Sequence, residues 1–227
     1  MNENLPNHAF SDNGLWLVGR IYGADHLPYE ISLRDVEADA NWAEAMLGRI
    51  GIGAGDTVLF GYHSSQHAQW WPWLKALHRR HGAYAPAMPS PYDGPRWGMY
   101  MRRFDLRAAF GINNNVLQAL DSAGEDTRKL MGKSGTLIAE VDAIPLLREW
   151  GLKPWRLINL GPTMALQPWG EEGALYNAAE WLLESVDGSI VISSQKGRRC
   201  VIERLATGLR GSIVHNERGE MRLQLAD

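Results

Sequence analysis

Cysteine is almost absent from the sequence, in which Cys200 is the only example. A single thiol cannot form an internal disulfide, and it cannot supply a zinc site built on cysteine ligands. This usage is typical of a reducing compartment, so we expect a cytoplasmic protein. Because Val201 and Ile202 follow Cys200 in a run that favours a strand, we interpret Cys200 as a small buried apolar residue and not as a nucleophile.

A strong charge of either sign is also lacking, since 23 Lys and Arg stand against 26 Asp and Glu for a net charge of −3. This balance gives no electrostatic basis for binding nucleic acid or an anionic membrane. No apolar run reaches the length of about 18 residues that spans a bilayer. The first ten residues, MNENLPNHAF, are polar and do not resemble a signal peptide.

What the chain does contain is an alternation of short β-rich runs and amphipathic segments over residues 31–160. Ser32 and Asp35 have the spacing of a capping box and predict the start of a helix, which Gly51 ends. Such alternation predicts a largely parallel sheet with crossover helices, hence an α/β fold. The predicted strands are Thr57–Tyr62, Ala83–Ala87, Arg107–Ile112, Thr136–Val141 and Trp155–Leu160, and the predicted helices follow Ser32, Gln66, Asp93, Asn113 and Ala143.

The pattern changes after residue 160. Asp187-Gly188 lies between two apolar runs, 176–186 and 189–194, and is a strong signal for a hairpin. A second hairpin is predicted around residues 216–219. We therefore divide the chain into an N-terminal arm (1–30), an α/β domain (31–160) and a smaller antiparallel β-rich C-terminal part (161–227).

Residues 47–91 carry a resemblance to a known family. They read LGRIGIGAGDTVLFGY and, after a short helical stretch, WLKALHRRHGAYAPAMPSP. Gly55-Asp56, Ala76-Leu77, Gly82-Ala83 and Pro86 match the pattern of the amino-terminal region of adenylate-forming acyl- and aryl-CoA ligases. The phenylacetate-CoA ligase branch is the most similar, and the likeness extends loosely to about residue 160.

A second stretch, SIVISSQKGRRCVIERLATG at 189–208, resembles a later ligase segment that ends in a Thr-Gly-Asp motif. Arg204, Thr207 and Gly208 match its Arg, Thr and Gly. The motif's Asp, which in the family binds the ATP ribose, is replaced by Leu209. Since a leucine side chain cannot accept hydrogen bonds from hydroxyl groups, the resemblance implies a weakened nucleotide site.

The family's Gly-rich loop with a lysine, which wraps the ATP phosphates, has no counterpart in the sequence. Gly132-Lys133-Ser134 has the end of a Walker loop, but Thr127 stands where that loop requires its first glycine. No segment before Asp227 resembles the mobile C-terminal domain with its catalytic lysine. We therefore expect a shortened relative of the ligases that has lost adenylation.

The strand end at residue 62 is our leading candidate for a site, because α/β proteins bind ligands at the carboxyl ends of strands. It is followed by His63, Ser64, Ser65 and His67. We predict that the two serines contact a ligand and that His63 or His67 is a general base if the protein is an enzyme. The two histidines also have metal-ligand spacing and Asp93 is a conceivable third ligand, but we expect no metal and no cofactor.

Three tryptophans follow at positions 70, 71 and 73, and they cannot all face one side of a helix. They are interpreted as core and packed surface, or else as a pocket wall or dimer contact. Trp70 and Asp93 are candidate ligand contacts. Lys196, Arg198 and Arg199 form a basic turn that is either solvated or binds an anion, and Arg199 and Arg204 are the candidates there.

Three functions remain open at this point. The first is an adenylation-deficient ligase-like protein that binds a small organic acid, an acyl thioester or a ligase-type partner protein in an accessory or regulatory role. The second is a small enzyme that hydrolyses or isomerises an acyl-CoA. The third is a structural protein that self-associates, for instance as a homodimer, through its tryptophan-rich surface.

Overall fold

The computed structural model describes residues 14–21, 27–216 and 219–226. They contain a mixed sheet of 11 strands in the order β10-β11-β12-β13-β9-β8-β7-β6-β5-β3-β4, and a separate hairpin, β1-β2. The strands are β1 Leu17–Arg20, β2 Pro28–Ile31, β3 Thr57–Gly61, β4 Ala83–Ala87, β5 Leu106–Ile112, β6 Thr136–Glu140, β7 Trp155–Asn159, β8 Met164–Gln167, β9 Ala174–Leu175, β10 Trp181–Val186, β11 Ser189–Ser194, β12 Leu205–His215 and β13 Met221–Leu225.

Helices cover both faces of the parallel part of the sheet, which comprises β4, β3, β5, β6 and β7. One face packs Phe60 and Ile138 against α1 and α2, and the other packs Leu59 and Ala139 against the remaining helices. This two-faced burial is why the strands read as nearly continuous apolar runs. The helices are α1 Leu33–Ile50, α2 His67–Arg79, α3 Gly94–Arg103, α4 Asn114–Ser122, α5 Thr127–Lys133 and α6 Ile144–Glu149.

The start of α1 is fixed by the predicted capping box. The Asp35 backbone amide donates to Ser32 Oγ at 3.2 Å, and the Ser32 amide donates to Asp35 Oδ2 at 2.9 Å. Gly51 ends the helix with a φ of 81°, a left-handed conformation that favours glycine. Both helix boundaries therefore agree with the sequence prediction.

The predicted change to antiparallel pairing is confirmed and begins at β8, which pairs antiparallel with β7. Through β9 and β13 the C-terminal strands continue the same sheet across residue 160. Asp187-Gly188 forms the turn of the β10–β11 hairpin, as predicted. The fold class is confirmed: a largely parallel sheet with crossover helices, followed by antiparallel strands.

Three local differences have physical causes. The strand predicted from Tyr176 begins only at Trp181, because the Glu180 and Trp181 amides both donate to the Asn177 carbonyl and form a turn. The sequence did not predict the short strands β8 and β9, since neither shows a clear alternation of apolar and polar residues. The predicted arm, residues 1–30, lies partly outside the described residues, and its described part pairs as the β1–β2 hairpin.

A buried arginine joins the C-terminal strands to α1 and β2. The Arg198 side chain is 1% exposed; it donates to Asp39 Oδ2 at 2.8 Å, to Glu180 Oε2 at 3.1 Å and to the Tyr29 hydroxyl at 2.7 Å. Its guanidinium lies 4.2 Å from the centre of the Trp181 ring. The prediction of a solvated turn therefore holds for the exposed Lys196. It is wrong for Arg198, whose side chain is buried and bonded to other residues of the protein.

The tryptophans of α2 mostly build the core. Trp70 and Trp73 are 3% and 2% exposed. Trp71 is half-buried and lies 5.5 Å from the Trp16 ring, which covers it. Trp70 and Trp73 therefore pack in the core and Trp71 lies at a packed surface, as the first of the two interpretations predicts.

We expect Arg198→Ala to lower the free energy of unfolding by about 3–5 kcal/mol, because it leaves the Asp39 carboxylate without a cationic partner among the described residues, whereas Glu180 keeps Arg34 at 2.8 Å. Urea denaturation followed by circular dichroism measures the change. Lys196→Ala, in the same loop but exposed and without an ion pair to any described residue, should stay within about 0.5 kcal/mol. Equal effects of the two variants would contradict a structural role for the Arg198 network.

Candidate functional site

The carboxyl ends of the parallel strands meet at one edge of the sheet, where a cleft opens between α2, β6, β7 and the β7–β8 turn. Its volume is about 20 Å³. That is room for little more than one water-sized group, so only a small part of any ligand enters it. The cleft is lined by Gln66, Gln69, Trp70, Glu140, Leu157, Asn159, Thr163 and Met164.

The register of the strands places these side chains on one face. Glu140 pairs with Leu157 across β6 and β7, so both point to the same side of the sheet. Asn159 lies two residues beyond Leu157 and therefore shares that side. Because Leu157 packs in the core cluster beneath α2, the cleft lies on the face that α1 and α2 cover.

Glu140 is the one acidic residue that lines the cleft. Burial raises the pKa of its carboxyl to about 7, and the nearby charge of Asp142 adds to the rise, whereas a hydrogen bond from the Asn113 side chain opposes it. A carboxyl with this pKa exchanges its proton near neutral pH. Such tuning is frequent at functional sites, although ion-pair networks produce it as well.

Asn113 is held beside Glu140 by a distortion of β5. Gly111 has a φ of 74° and interrupts the register between β5 and β6, and a Cβ there would lie 1.9 Å from the Gly61 carbonyl oxygen. Only glycine fits such a bulge. Two residues later, Asn113 caps α4 by accepting from the Val116 amide at 3.1 Å.

The turn between β7 and β8 presents uncommitted hydrogen-bond donors. Asn159 Oδ1 accepts from the Gly161 amide at 2.8 Å, which leaves its Nδ2 group free of described partners. The Thr163 hydroxyl likewise has no partner among the described residues. Gln66 accepts from the His63 amide through Oε1 at 3.0 Å, so its Nε2 group is also uncommitted within the described chain.

Gln69 lines the cleft, and one of its side-chain atoms is buried without a hydrogen bond to the described residues. Its Nε2 donates to the carbonyls of Arg20 at 2.7 Å and Gly161 at 3.2 Å, which fixes the orientation of the amide. Its Oε1 is buried without a hydrogen-bond partner in the described residues. Leaving a buried acceptor without a hydrogen bond costs roughly 1–3 kcal/mol. Such unpaired buried atoms are therefore uncommon in native proteins.

The electrostatic character of the cleft is neutral to acidic. No lysine, arginine or histidine is among the described residues that line it. The nearby amino terminus of α4 already has an anionic partner, since the Asn114 amide donates to Asp142 Oδ2 at 3.1 Å. A second anion at this edge would therefore meet carboxylates without a compensating cation.

The predicted site residues lie around this edge, but most of them do not line the cleft. His63, Ser64 and Ser65 are exposed at the short 3-10 turn before α2. His67 packs between the rings of Tyr62 and Trp71, with centroids 6.0 and 5.2 Å away. Burial lowers the pKa of His67 from its ordinary value.

Trp70 is the one predicted ligand contact that lines the cleft. Asp93 follows β4 at the same edge, where it accepts from the Met88 amide at 2.7 Å and pairs with Arg96 at 3.3 Å. These contacts commit Asp93 to the start of α3.

The predicted basic contacts lie elsewhere in the C-terminal part. Arg199 pairs with Glu30 at 3.0 Å, and the exposed Arg204 lies 3.8 Å from Glu184. Neither lines the cleft. Their role in binding an anion stays a prediction.

Neither a metal nor a reactive thiol is indicated by the described residues. No group of three or more His, Cys, Asp or Glu among them has an arrangement that could hold a metal ion. Cys200 is half-buried against the third core cluster, and burial raises the pKa of its thiol. No helix in the described part of the chain is long and apolar enough to cross a membrane.

Glu140 and its donors are absent from the sequence prediction, which placed the leading candidate site at the strand end at residue 62. Glu140 is the last residue of β6 and lies one position before the end of the predicted strand 136–141. The strand-end rule applied to every strand would have found it.

We expect Glu140→Gln to change the pH dependence of stability. The folded pKa of about 7 exceeds the ordinary value of 4.5, so ionisation of this carboxyl destabilises the native state progressively as pH rises from 4.5 to about 7, and the loss is constant above that range. The free energy of unfolding of the variant minus that of the wild type should be larger at pH 8 than at pH 4, by about 1–3 kcal/mol. Urea unfolding at both pH values measures this.

Glu149→Gln, an exposed substitution on α6, is the matched control and should show no such pH-dependent gain. If both variants follow the wild-type pH profile, the carboxyl of Glu140 is not desolvated in the native state.

Comparison with known proteins adds information about the fold. No family model matches the chain, and no curated protein matches it either. Solved structures of ligases do match. A 2-hydroxyisobutyryl-CoA ligase in complex with 2-HIB-AMP and CoA aligns with a TM-score of 0.73 at 16% identity, covering 95% of this chain and 53% of the ligase.

Two further structures agree with this result. A malonyl-CoA ligase bound to methylmalonyl-CoA and AMP gives a TM-score of 0.60 at 14% identity, with 96% of this chain and 54% of that chain covered. ATP-bound MatB from Rhodopseudomonas palustris gives 0.61 at 14% identity, with 94% and 48% covered. The chain therefore has the fold of these CoA ligases and spans about half of their length.

Proposed function

We propose that this protein binds acyl thioesters at the carboxyl-edge cleft without adenylating the acid, in an accessory or regulatory role. The observation that carries the proposal is the lining of the cleft: amide and hydroxyl donors around Glu140, with no cation among the described lining residues. Ligands of α/β proteins bind at this edge of the sheet.

ATP is a poor fit to this cleft. A triphosphate requires lysine, arginine, a metal or a glycine-rich loop of amides to balance its charge. The cleft offers Glu140 instead, and its volume of about 20 Å³ admits neither an adenine ring nor a phosphate chain. Leu209, in the position that the resemblance assigns to the ribose-binding Asp, packs against the third core cluster.

A thioester fits better than a free acid above neutral pH. Once Glu140 ionises, it repels a carboxylate, whereas a thioester carbonyl is uncharged and accepts hydrogen bonds. Asn159 Nδ2, Gln66 Nε2 and the Thr163 hydroxyl are available donors. The ligases of this fold supply a parallel, since the hydroxyisobutyryl enzyme was solved with an acyl adenylate and CoA.

The size of the cleft limits how the ligand lies. Only the carbonyl oxygen of the thioester enters the cleft, while the α-carbon, its substituents and the CoA moiety lie at the cleft mouth. The exposed residues His63, Ser64 and Ser65 are close by in the chain, before α2, and they are our candidates for contacts with this outer part. The predicted contacts of Ser64 and Ser65 with a ligand are thus contacts with the part of the thioester outside the cleft.

Self-association is a second proposal with a narrower basis. Leu15, Trp16 and Val18 are 48%, 38% and 51% exposed around β1, and they form an apolar surface that a second copy or a ligase-type partner would cover. Light scattering across micromolar concentrations distinguishes a dimer from a monomer.

Calorimetry at pH 8 tests the thioester proposal. Isobutyryl-CoA or phenylacetyl-CoA should bind saturably, whereas ATP with magnesium should not. CoA alone is the control for binding through the nucleotide portion, and it should bind more weakly than the thioester. Saturable ATP binding, or equal affinity for CoA and its thioesters, would contradict the proposal.

Glu140→Gln should change the discrimination between acid and thioester. Removing the negative charge is expected to strengthen the binding of isobutyrate or phenylacetate at pH 8 by about tenfold, which corresponds to about 1.4 kcal/mol. Thioester affinity should remain within about threefold, and Glu149→Gln should leave both affinities unchanged. An unaltered preference in Glu140→Gln would show that Glu140 does not face the ligand.

A further inference from the structure

We propose that Glu140 is a proton acceptor for the α-carbon of the acyl thioester held in the cleft, with the Asn159 amide and the Thr163 hydroxyl facing the thioester oxygen. This inference rests on the proposed thioester binding and adds a reaction to it, the reversible formation of an enolate. The ligand class is an uncharged acyl thioester with at least one α-hydrogen.

The first support is the placement of base and donors. Glu140 and Asn159 lie on neighbouring strands with their side chains on the same face, since Glu140 pairs with Leu157 and Asn159 is two residues further along β7. Thr163 stands in the turn next to Met164, which pairs with Asn159. All three residues line one cleft that holds a single small group.

The second support is that these groups are uncommitted. Asn159 uses its oxygen in the turn and keeps its amide protons, and the Thr163 hydroxyl has no partner in the described part of the chain. Donors that are fixed in place before the reaction stabilise the negative charge that develops on an enolate oxygen. Thr163 is buried, and buried hydroxyl groups are ordinarily paired, whereas the exposed Asn159 amide is open to solvent and to a ligand.

The third support is the chemistry of the carboxyl. A general base is most effective when its pKa lies near the operating pH, and burial brings that of Glu140 to about 7. The two histidines are less suitable than Glu140 as the general base. His63 is exposed, His67 is stacked between two aromatic rings, and neither lines the cleft.

The step balances without any other reactant. The Cα–H bond breaks, its proton bonds to a Glu140 carboxylate oxygen, and its electron pair moves into the thioester to form the enolate. In the reverse direction the Glu140 carboxylic acid returns a proton to the α-carbon. In D₂O the acid exchanges its proton with solvent, so the returned atom is deuterium.

Exchange of the single α-hydrogen of isobutyryl-CoA in D₂O, followed by mass spectrometry, tests the proposal on the full chain. The wild-type protein should speed the gain of one deuterium over the protein-free rate, and this rate should rise with pH through about 7 as the carboxylate forms. Glu140→Gln should abolish the acceleration while isobutyryl-CoA still binds within about threefold. Thr163→Val should slow exchange by about 10²-fold.

Controls keep the outcomes distinct. Glu149→Gln should exchange at the wild-type rate, and Glu140→Asp serves as a second variant if Glu140→Gln does not fold. Binding without accelerated exchange would overturn this inference and leave thioester binding intact. Absence of any thioester binding would overturn both, and undiminished exchange in a folded Glu140→Gln would show that another group is the base.

Discussion

The parallel alignment of β3, β4, β5, β6 and β7 is the constraint on which the site depends. Because the carboxyl ends of parallel strands meet at one edge, Glu140 and Asn159 come together there although 18 residues of the chain lie between them. The helices that bury both faces of the sheet also leave the end of β6 partly desolvated, which gives Glu140 its raised pKa. The parallel sheet and its covering helices thus determine both the position of Glu140 and its raised pKa.

A second interaction holds the antiparallel strands against this scaffold. Arg198 reaches from the loop after β11 to Asp39 on α1 and to the Tyr29 hydroxyl on β2, in a site almost without solvent. A buried charge cluster of this kind contributes less to net stability than its contacts suggest, because desolvating each ion is costly. Its geometry nevertheless defines one arrangement of the C-terminal strands relative to α1.

Local signals in the sequence predict much of the fold. Ser32 and Asp35 mark the start of α1, Asn113 caps α4, and Asp187-Gly188 turns a hairpin, because each depends on neighbours within a few residues. The strands β8 and β9 depend instead on partners far along the chain. The same holds for the site: the pKa of Glu140 and the burial of Arg198 arise from tertiary desolvation, which no local pattern encodes, whereas Trp70 was predicted from the local run of tryptophans at 70, 71 and 73.

The ligase fold therefore carries a cleft whose chemistry differs from that of an ATP site, since it offers neutral donors and a titrating carboxyl where a nucleotide would need cations. The most direct test of this account is a crystal structure of the protein with isobutyryl-CoA. The account predicts electron density for the thioester carbonyl between Glu140 and Thr163, with the CoA moiety outside the cleft. Density for the acyl group elsewhere on the protein, with the cleft holding only water, would contradict it.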